Sequence, residues 1–238
     1  MRSLDKQTTD LVRRLRTGLN SQLISVVLYG SAAMEDWEEN TSDINVLCVV
    51  DKLSASELSQ CEPIFQWWRG LGNRPPLLLT ADEVRTSTDC FPMEFHDMRD
   101  HRRVLYGSDL IQDLGIDWCF YRAEVEHELR TKLIRLRQKA AELLSTPPRL
   151  LKLLADSLST FCVLGRHALV LSGTEPKYKK AEIISALEVA LNRRLEGAAQ
   201  ILSLRSGKEQ AGIDATMLFE KYLSEMESLV RFVDALAK

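Results

Sequence analysis

The sequence predicts an α/β domain followed by an all-helical bundle domain. Apolar runs with strand character alternate with helical patterns through the first half of the 238 residues. Past Asp117–Trp118 the strand signals end, and long amphipathic patterns continue to the C-terminus. Strands mixed with helices, and then helices alone, indicate two domains, which we predict at residues 1–116 and 117–238.

The first half begins with a predicted helix over residues 4–19, where leucines recur at helical spacing. Ser54, with Glu57 three residues later, forms a capping-box pattern that opens a helix over 54–71. The other predicted elements of this half are a helical turn over 81–88 and strands at 23–29, 43–50, 77–80 and 93–98, the last continuing towards 104–106.

The second half reads as four helices. Proline or glycine marks each break between them, because neither residue continues a helix well. The predicted helices lie near residues 119–145, 148–172, 178–203 and 214–237.

The composition is that of a globular protein, with 45% hydrophobic and 27% charged residues. The chain has no run of about 18 apolar residues, so we expect no transmembrane helix and no membrane partner. The N-terminal residues are polar and charged, which does not fit a secretory signal. Five scattered cysteines without CxxC spacing predict reduced thiols in a cytoplasmic protein and do not favour a zinc site.

Charge is distributed unevenly between the predicted domains. Residues 1–116 carry 12 basic and 18 acidic residues, a balance of −6, and residues 117–238 have a balance of +3. An acidic half beside a mildly basic half suits a metal site that faces a phosphate-tolerant surface, although solvated helices that differ in charge explain it equally well. Neither half is basic enough to predict duplex nucleic acid as a partner.

The most informative segment is residues 26–51, where two apolar runs flank polar residues. The first run ends on Gly30–Ser31, and Asp43 and Asn45 open the second. Side chains at i and i+2 of a strand point to the same side, so Asp43 and Asn45 can both bind the same metal ion. Magnesium prefers such oxygen ligands, and a Gly-Ser turn can receive phosphate oxygens. The segment therefore predicts a phosphate held against a divalent metal.

A third carboxylate is expected from a neighbouring strand. Glu94 is the first candidate, because it is charged and stands between apolar neighbours in the predicted strand 93–98. Asp97 is the second candidate, and it would fall on the opposite face of that strand. His96 and His101 flank Glu94 and are interpreted as ordinary surface histidines.

Gly30–Ser31, then about a dozen residues, then Asp43-x-Asn45 entering an apolar strand resembles the DNA polymerase β-like nucleotidyltransferase superfamily. The chain looks most like its bacterial branch of aminoglycoside and minimal nucleotidyltransferases. The stretch from Pro92 to Gly107 is similar to the segment that carries the third acidic residue of that branch. The second half resembles the helical domains that accompany such enzymes.

This resemblance implies a small mixed sheet with helices packed against it, and a two-metal Mg²⁺ site. Asp43, Asn45 and Glu94 would be the metal ligands and catalytic residues, with Glu94 as third ligand or as base for an acceptor hydroxyl. Gly30 and Ser31 would hold the phosphates of a nucleoside triphosphate, for which ATP is the expected donor. The implied reaction is Mg²⁺-dependent transfer of a nucleoside monophosphate to a hydroxyl of a small molecule or a protein.

Two departures from the family pattern keep a second function open. Asn45 stands where a second aspartate is usual, which removes one negative charge from the metal site. Met34 and Glu35 stand where Arg and Gly are often found. The alternative is therefore a catalytically degenerate member that binds nucleotide or protein as an antitoxin-like regulator, with the helical half as a candidate homodimer surface. In that case Gly30–Ser31 is a tight turn and Asp43 a cap.

Overall fold

The computed structural model describes residues 3–33, 44–207 and 212–236. The chain divides into two compact units, Met1–Cys119 and Phe120–Lys238. Each unit has its own arrangement of secondary structure.

In its described residues, 3–33 and 44–119, the first unit contains four strands and four α-helices. The strands are β1 (Leu23–Tyr29), β2 (Asn45–Val50), β3 (Leu77–Thr80) and β4 (Arg102–Gly107). The helices are α1 (Ser3–Leu19), α2 (Ala55–Gly70), α3 (Ala81–Thr86) and α4 (Pro92–Asp100). Short 3₁₀ turns follow α1 at Asn20–Gln22 and β1 at Gly30–Ala33. The predicted capping box of α2 is present, since Glu57 accepts from the Ser54 N–H at 2.9 Å.

The strands form one small mixed sheet in the order β3-β2-β1-β4, as the fold prediction required. β1 is antiparallel to both β2 and β4, and β2 is parallel to β3. The register places Tyr29, the last residue of β1, opposite Asn45 on one side and opposite Arg102 on the other.

Alternation along the strands gives the sheet two apolar faces with different partners. The face that includes Val26 and Leu28 packs against α1 and α2, whose Trp68 is fully buried there. The face that includes Val27 and Leu47 packs against Phe95 and Met98 of α4, among other residues. Tyr29 packs on the α4 side, and Asn45, which lies opposite Tyr29 in the β1–β2 pair, therefore belongs to the same side.

The predicted strand 93–98 is wrong, because these residues form α4. Pro92 lies in the first helical turn, where a proline costs no hydrogen bond and its fixed φ favours the helix. Phe95 and Met98, three residues apart, both enter the core, which is a helical rather than a strand spacing. The apolar residues of this short segment therefore fit a helix period that the strand interpretation overlooked.

The second unit consists of helices throughout the part that the structure describes. They are α5 (Tyr121–Ala141), α6 (Pro147–Leu171), α7 (Lys180–Ala190), α8 (Glu196–Arg205) and α9 (Ala215–Ala235). The predicted helix 178–203 is thus two helices, α7 and α8. No Gly or Pro marks this break; Asn192 adopts a positive φ of 48°, and the Glu188 carboxylate accepts from the Leu195 N–H at 2.9 Å.

The central helix of this unit is α6, which contacts α5, α7, α8 and α9. By length and composition, α6 is the one helix among the described residues that could cross a membrane. However, 56% of its most apolar window is buried inside the protein. A core helix can be this apolar, and the length and composition of α6 are therefore weak evidence for a membrane span.

A buried carboxylate joins α8 to α9. Glu225 of α9 is 2% exposed, and its two oxygens accept from the N–H groups of Gly197 and Ala198 at 2.7 and 2.8 Å. These N–H groups lie in the first turn of α8, where backbone N–H groups have no carbonyl acceptor within the helix. Burial raises the pKa of Glu225, and this outweighs the two hydrogen bonds and Arg193, which lower it.

We expect the free energy of unfolding to depend on the ionisation of Glu225. A carboxyl whose pKa is higher in the folded protein contributes stability below its ordinary pKa of 4.5, and that contribution is lost as the pH rises through the folded value. Urea unfolding at several pH values should show this loss in the wild type and not in Glu225→Gln. The exposed Glu220→Gln on the same helix should keep the wild-type pH dependence. Glu225→Ala should cost about 1–3 kcal/mol for each N–H left without an acceptor.

Candidate active site at the end of β1

The candidate site starts where β1 ends and the chain turns at Gly30. Gly30 has a φ of +69°, a conformation that side chains with a Cβ rarely adopt. Its N–H donates to the carbonyl of His101 at 3.2 Å. Because this N–H already has an acceptor within the protein, Gly30 contributes its backbone conformation to the turn rather than a donor for phosphate.

Asn45 lies directly beside this turn. It is the first residue of β2, and it is half-buried on the α4 side of the sheet, opposite Tyr29. A Cβ at position 30 would lie 3.2 Å from the Asn45 side-chain nitrogen. The fold therefore brings Gly30 and Asn45 together, whereas Asp43 and the side chain of Ser31 lie outside the described residues.

Glu94 reaches the site from a helix rather than from the predicted neighbouring strand. It is exposed in the first turn of α4, and Asp97, one turn later, is half-buried. On a strand these two residues would face opposite ways, but on a helix residues three apart are neighbours. The interpretation of Asp97 as a residue of the opposite face is thus wrong. Pro92, a residue typical of a helix start, was the signal in the sequence that could have shown this.

His96 is buried and not a surface residue, contrary to the sequence interpretation. It is 6% exposed, and its Nδ1 lies 3.3 Å from a carboxylate oxygen of Asp100. The ring of Trp118 meets it edge-on, with 5.9 Å between centroids. His101 is half-buried, and its carbonyl accepts the Gly30 N–H. Both histidines therefore help to build the site's surroundings.

Both carboxylates of α4 act electrostatically on Tyr29, the last residue of β1. Burial raises the pKa of the Tyr29 hydroxyl to about 12, and the negative charges of Glu94 and Asp97 add to this increase. The positive charge of Arg74 acts in the opposite direction. Sequence reasoning did not select Tyr29 or Arg74 as site residues and placed Asp97, its second candidate, on the opposite face from Glu94, because only the packing of α4 on the sheet brings these residues together.

The residues present at this end of the sheet suit a hard divalent cation. Asn45 offers an amide oxygen, and Glu94 and Asp97 offer carboxylate oxygens on the same side of the sheet. Mg²⁺ binds ligands of this kind and usually needs one or two carboxylates besides water and phosphate. The donor chemistry therefore fits the metal that the sequence resemblance implies.

Comparison with solved structures shows the fold. The chain superimposes on the crystal structure of spectinomycin adenyltransferase AAD(9) from Enterococcus faecialis, which was determined with ATP and spectinomycin. The TM-score is 0.62, and the match covers 94% of this chain and 99% of the other at 15% identity. No family model and no curated protein sequence matches the chain.

The chain therefore shares the fold of this adenyltransferase. The expected combination of a small mixed sheet and a helical C-terminal part is confirmed. The match also shows that this fold tolerates wide sequence divergence, since only 15% of the aligned residues are identical.

We expect Gly30→Ala to destabilise the protein. Alanine in the left-handed region costs about 1–2 kcal/mol, and its Cβ would crowd Asn45. Gly70→Ala is the matched control, because Gly70 ends α2 without a positive φ, and a methyl group added there would meet no atom within 4 Å. Urea unfolding should show the loss for Gly30→Ala alone, and equal behaviour of the two variants would contradict the constraint.

Proposed function

We propose that this protein is a Mg²⁺-dependent nucleotidyltransferase that moves the nucleoside monophosphate of ATP to a hydroxyl of a small molecule. The observation that carries the proposal is the grouping of Gly30, Asn45 and Glu94 at one end of the sheet. The shared fold supports it, because that neighbour is an adenyltransferase whose structure contains ATP and spectinomycin.

In such a reaction, some of these residues would bind the triphosphate and the metal, and one would accept a proton. The turn at Gly30–Ser31 would face the triphosphate, and Asp43 and Asn45 would hold Mg²⁺, with Glu94 as a third ligand or as the base for the acceptor hydroxyl. The ion, when bound, would neutralise charge on the phosphate oxygens. The acceptor oxygen attacks the α-phosphorus, pyrophosphate leaves, and the Glu94 carboxylate takes the proton of the acceptor hydroxyl. An exposed carboxylate suits this role, because the acceptor must reach it from solvent.

The class of acceptor follows from the neighbour by analogy. Spectinomycin is a small molecule, which favours a small hydroxylated acceptor over the alternative, a protein hydroxyl. We expect the reaction to take place in the cytoplasm, where ATP and reduced thiols are both available.

Asn45 favours a second candidate function, that of a nucleotide-binding regulator without transfer activity. An amide keeps an oxygen ligand but brings no negative charge to the metal. A site weakened in this way could retain ATP without supporting turnover, and binding must therefore be measured separately from catalysis.

We expect ATP with Mg²⁺ to raise the melting temperature, because a ligand that binds the folded state stabilises it by mass action. Thermal melts with ATP, GTP, CTP and UTP, each with Mg²⁺ or with EDTA, measure this directly. Absence of a shift with every triphosphate would exclude both the transferase and the nucleotide-binding regulator.

Glu94→Gln should lower nucleotidyl transfer by about 10²–10⁴-fold, which is the usual contribution of a catalytic base. The assay is release of pyrophosphate from labelled ATP, with spectinomycin, related hydroxylated compounds and cell extract as acceptors. Glu62→Gln removes the same charge from an exposed position of α2, on the other side of the sheet, and should leave the rate unchanged. Transfer that survives Glu94→Gln at the wild-type rate would refute the assignment, and an ATP-dependent melting shift without any transfer would favour the regulator.

A further inference from the structure

We propose that Asp97 supplies the carboxylate that Asn45 lacks, so that Asp97 and Glu94 together serve the divalent metal site from α4. This inference rests on the proposed function, and it assigns a role to a residue that the sequence pattern placed on the wrong face. It also gives a reason why a neutral residue is tolerated at position 45.

The geometry of the helix places Glu94 and Asp97 side by side. Successive residues of an α-helix are rotated by about 100°, so residues three apart lie about 60° from each other around the axis. Their Cβ atoms are about 5–6 Å apart. Because α4 is a helix, Glu94 and Asp97 form one acidic stripe rather than two unrelated charges.

Buried side chains fix α4 on the sheet. Phe95 and Met98 are 1% and 0% exposed. They belong to the apolar core on the α4 side of the sheet, and this core also includes Val27 and Leu47. These two anchors lie beside the acidic stripe on the helix surface and hold the helix in place. The orientation of Glu94 and Asp97 is thus set by buried packing and not by a flexible loop.

Tyr29 relates the acidic stripe to Asn45. It lies directly opposite Asn45 in the β1–β2 pair, and both residues belong to the α4 side of the sheet. Burial raises the pKa of the Tyr29 hydroxyl, and the negative charges of Glu94 and Asp97 raise it further. Tyr29 is therefore a common neighbour of the acidic stripe and of Asn45.

The charge balance of the site changes when Asp97 is included. Among the described residues, Asn45 and Glu94 together offer one carboxylate to the metal, and Asp97 raises the number to two. Asp97 is half-buried whereas Glu94 is exposed. A less hydrated carboxylate with fewer accessible rotamers suits a metal ligand, and a solvent-facing carboxylate suits the proton acceptor.

The test is a double-mutant cycle on metal affinity. Electron paramagnetic resonance of free Mn²⁺ measures binding to the wild type, Asp97→Asn, Asn45→Asp and the double variant, each with a non-hydrolysable ATP analogue. The control is Asp10→Asn, which removes an equal charge from α1 on the other side of the sheet, where Asp10 pairs with Arg13 at 3.2 Å. Melting temperatures without metal check folding, and Asp97→Ala replaces Asp97→Asn if the amide variant does not fold.

We expect Asp97→Asn to weaken Mn²⁺ binding by about tenfold or more. Loss of a residue that only supports a metal ligand already lowers metal affinity by about 10–100-fold. Asn45→Asp should restore most of this loss in the double variant and have a smaller effect alone. Asp97→Asn behaving like Asp10→Asn, or an equal gain from Asn45→Asp in both backgrounds, would overturn the role of Asp97. Wild-type protein that binds neither Mn²⁺ nor the analogue would instead refute the proposed function itself.

Discussion

The pairing of β1 with β2 is the interaction on which the rest of the first unit depends. β1 lies between β2 and β4, and its antiparallel register sets Tyr29 against both Asn45 and Arg102. A shift of one residue would exchange the two faces of the strand and move Asn45 to the side covered by α1 and α2. The apolar residues that alternate between the two cores make such a shift costly, since several buried side chains would change face together.

The two sides of the sheet have different tasks. α1 and α2 cover one side with a large apolar core that includes the buried Trp68, whose indole N–H donates to the Arg74 carbonyl at 2.8 Å. α4 covers the other side and combines two anchors in the core with two carboxylates beside them. The ends of two inner strands and one short helix are enough to bring amide and carboxylate oxygens to the same side of the sheet.

The helical unit uses buried polar contacts to fix how its helices pack. Glu225 joins α8 to α9, and the Tyr121 hydroxyl lies 2.6 Å from Nδ1 of His167 between α5 and α6, with both residues buried. Such contacts are directional, whereas apolar packing alone tolerates several arrangements. They also limit substitution, because removing one partner leaves the other buried without its hydrogen bond.

The sequence by itself determined the fold class and most of the elements, and it predicted a site within residues 26–51. These features follow from local patterns: the apolar runs of β1 and β2, the capping box at Ser54 and the long helical periods of the second half. It also singled out Gly30 and Asn45, which the tertiary structure places next to each other. The predicted contribution of Asp43 remains a prediction, since it lies outside the described residues.

Only the tertiary structure decided which carboxylates share a side of the site. A six-residue segment such as 93–98 fits strand and helix patterns almost equally well, and the choice reverses the relation between Glu94 and Asp97. The burial of His96 and the effect of both acids on Tyr29 arise from contacts between elements distant in the chain. Local spacing carries no information about such contacts, and for this reason the sequence could indicate the chemistry but not the arrangement of the groups that would perform it.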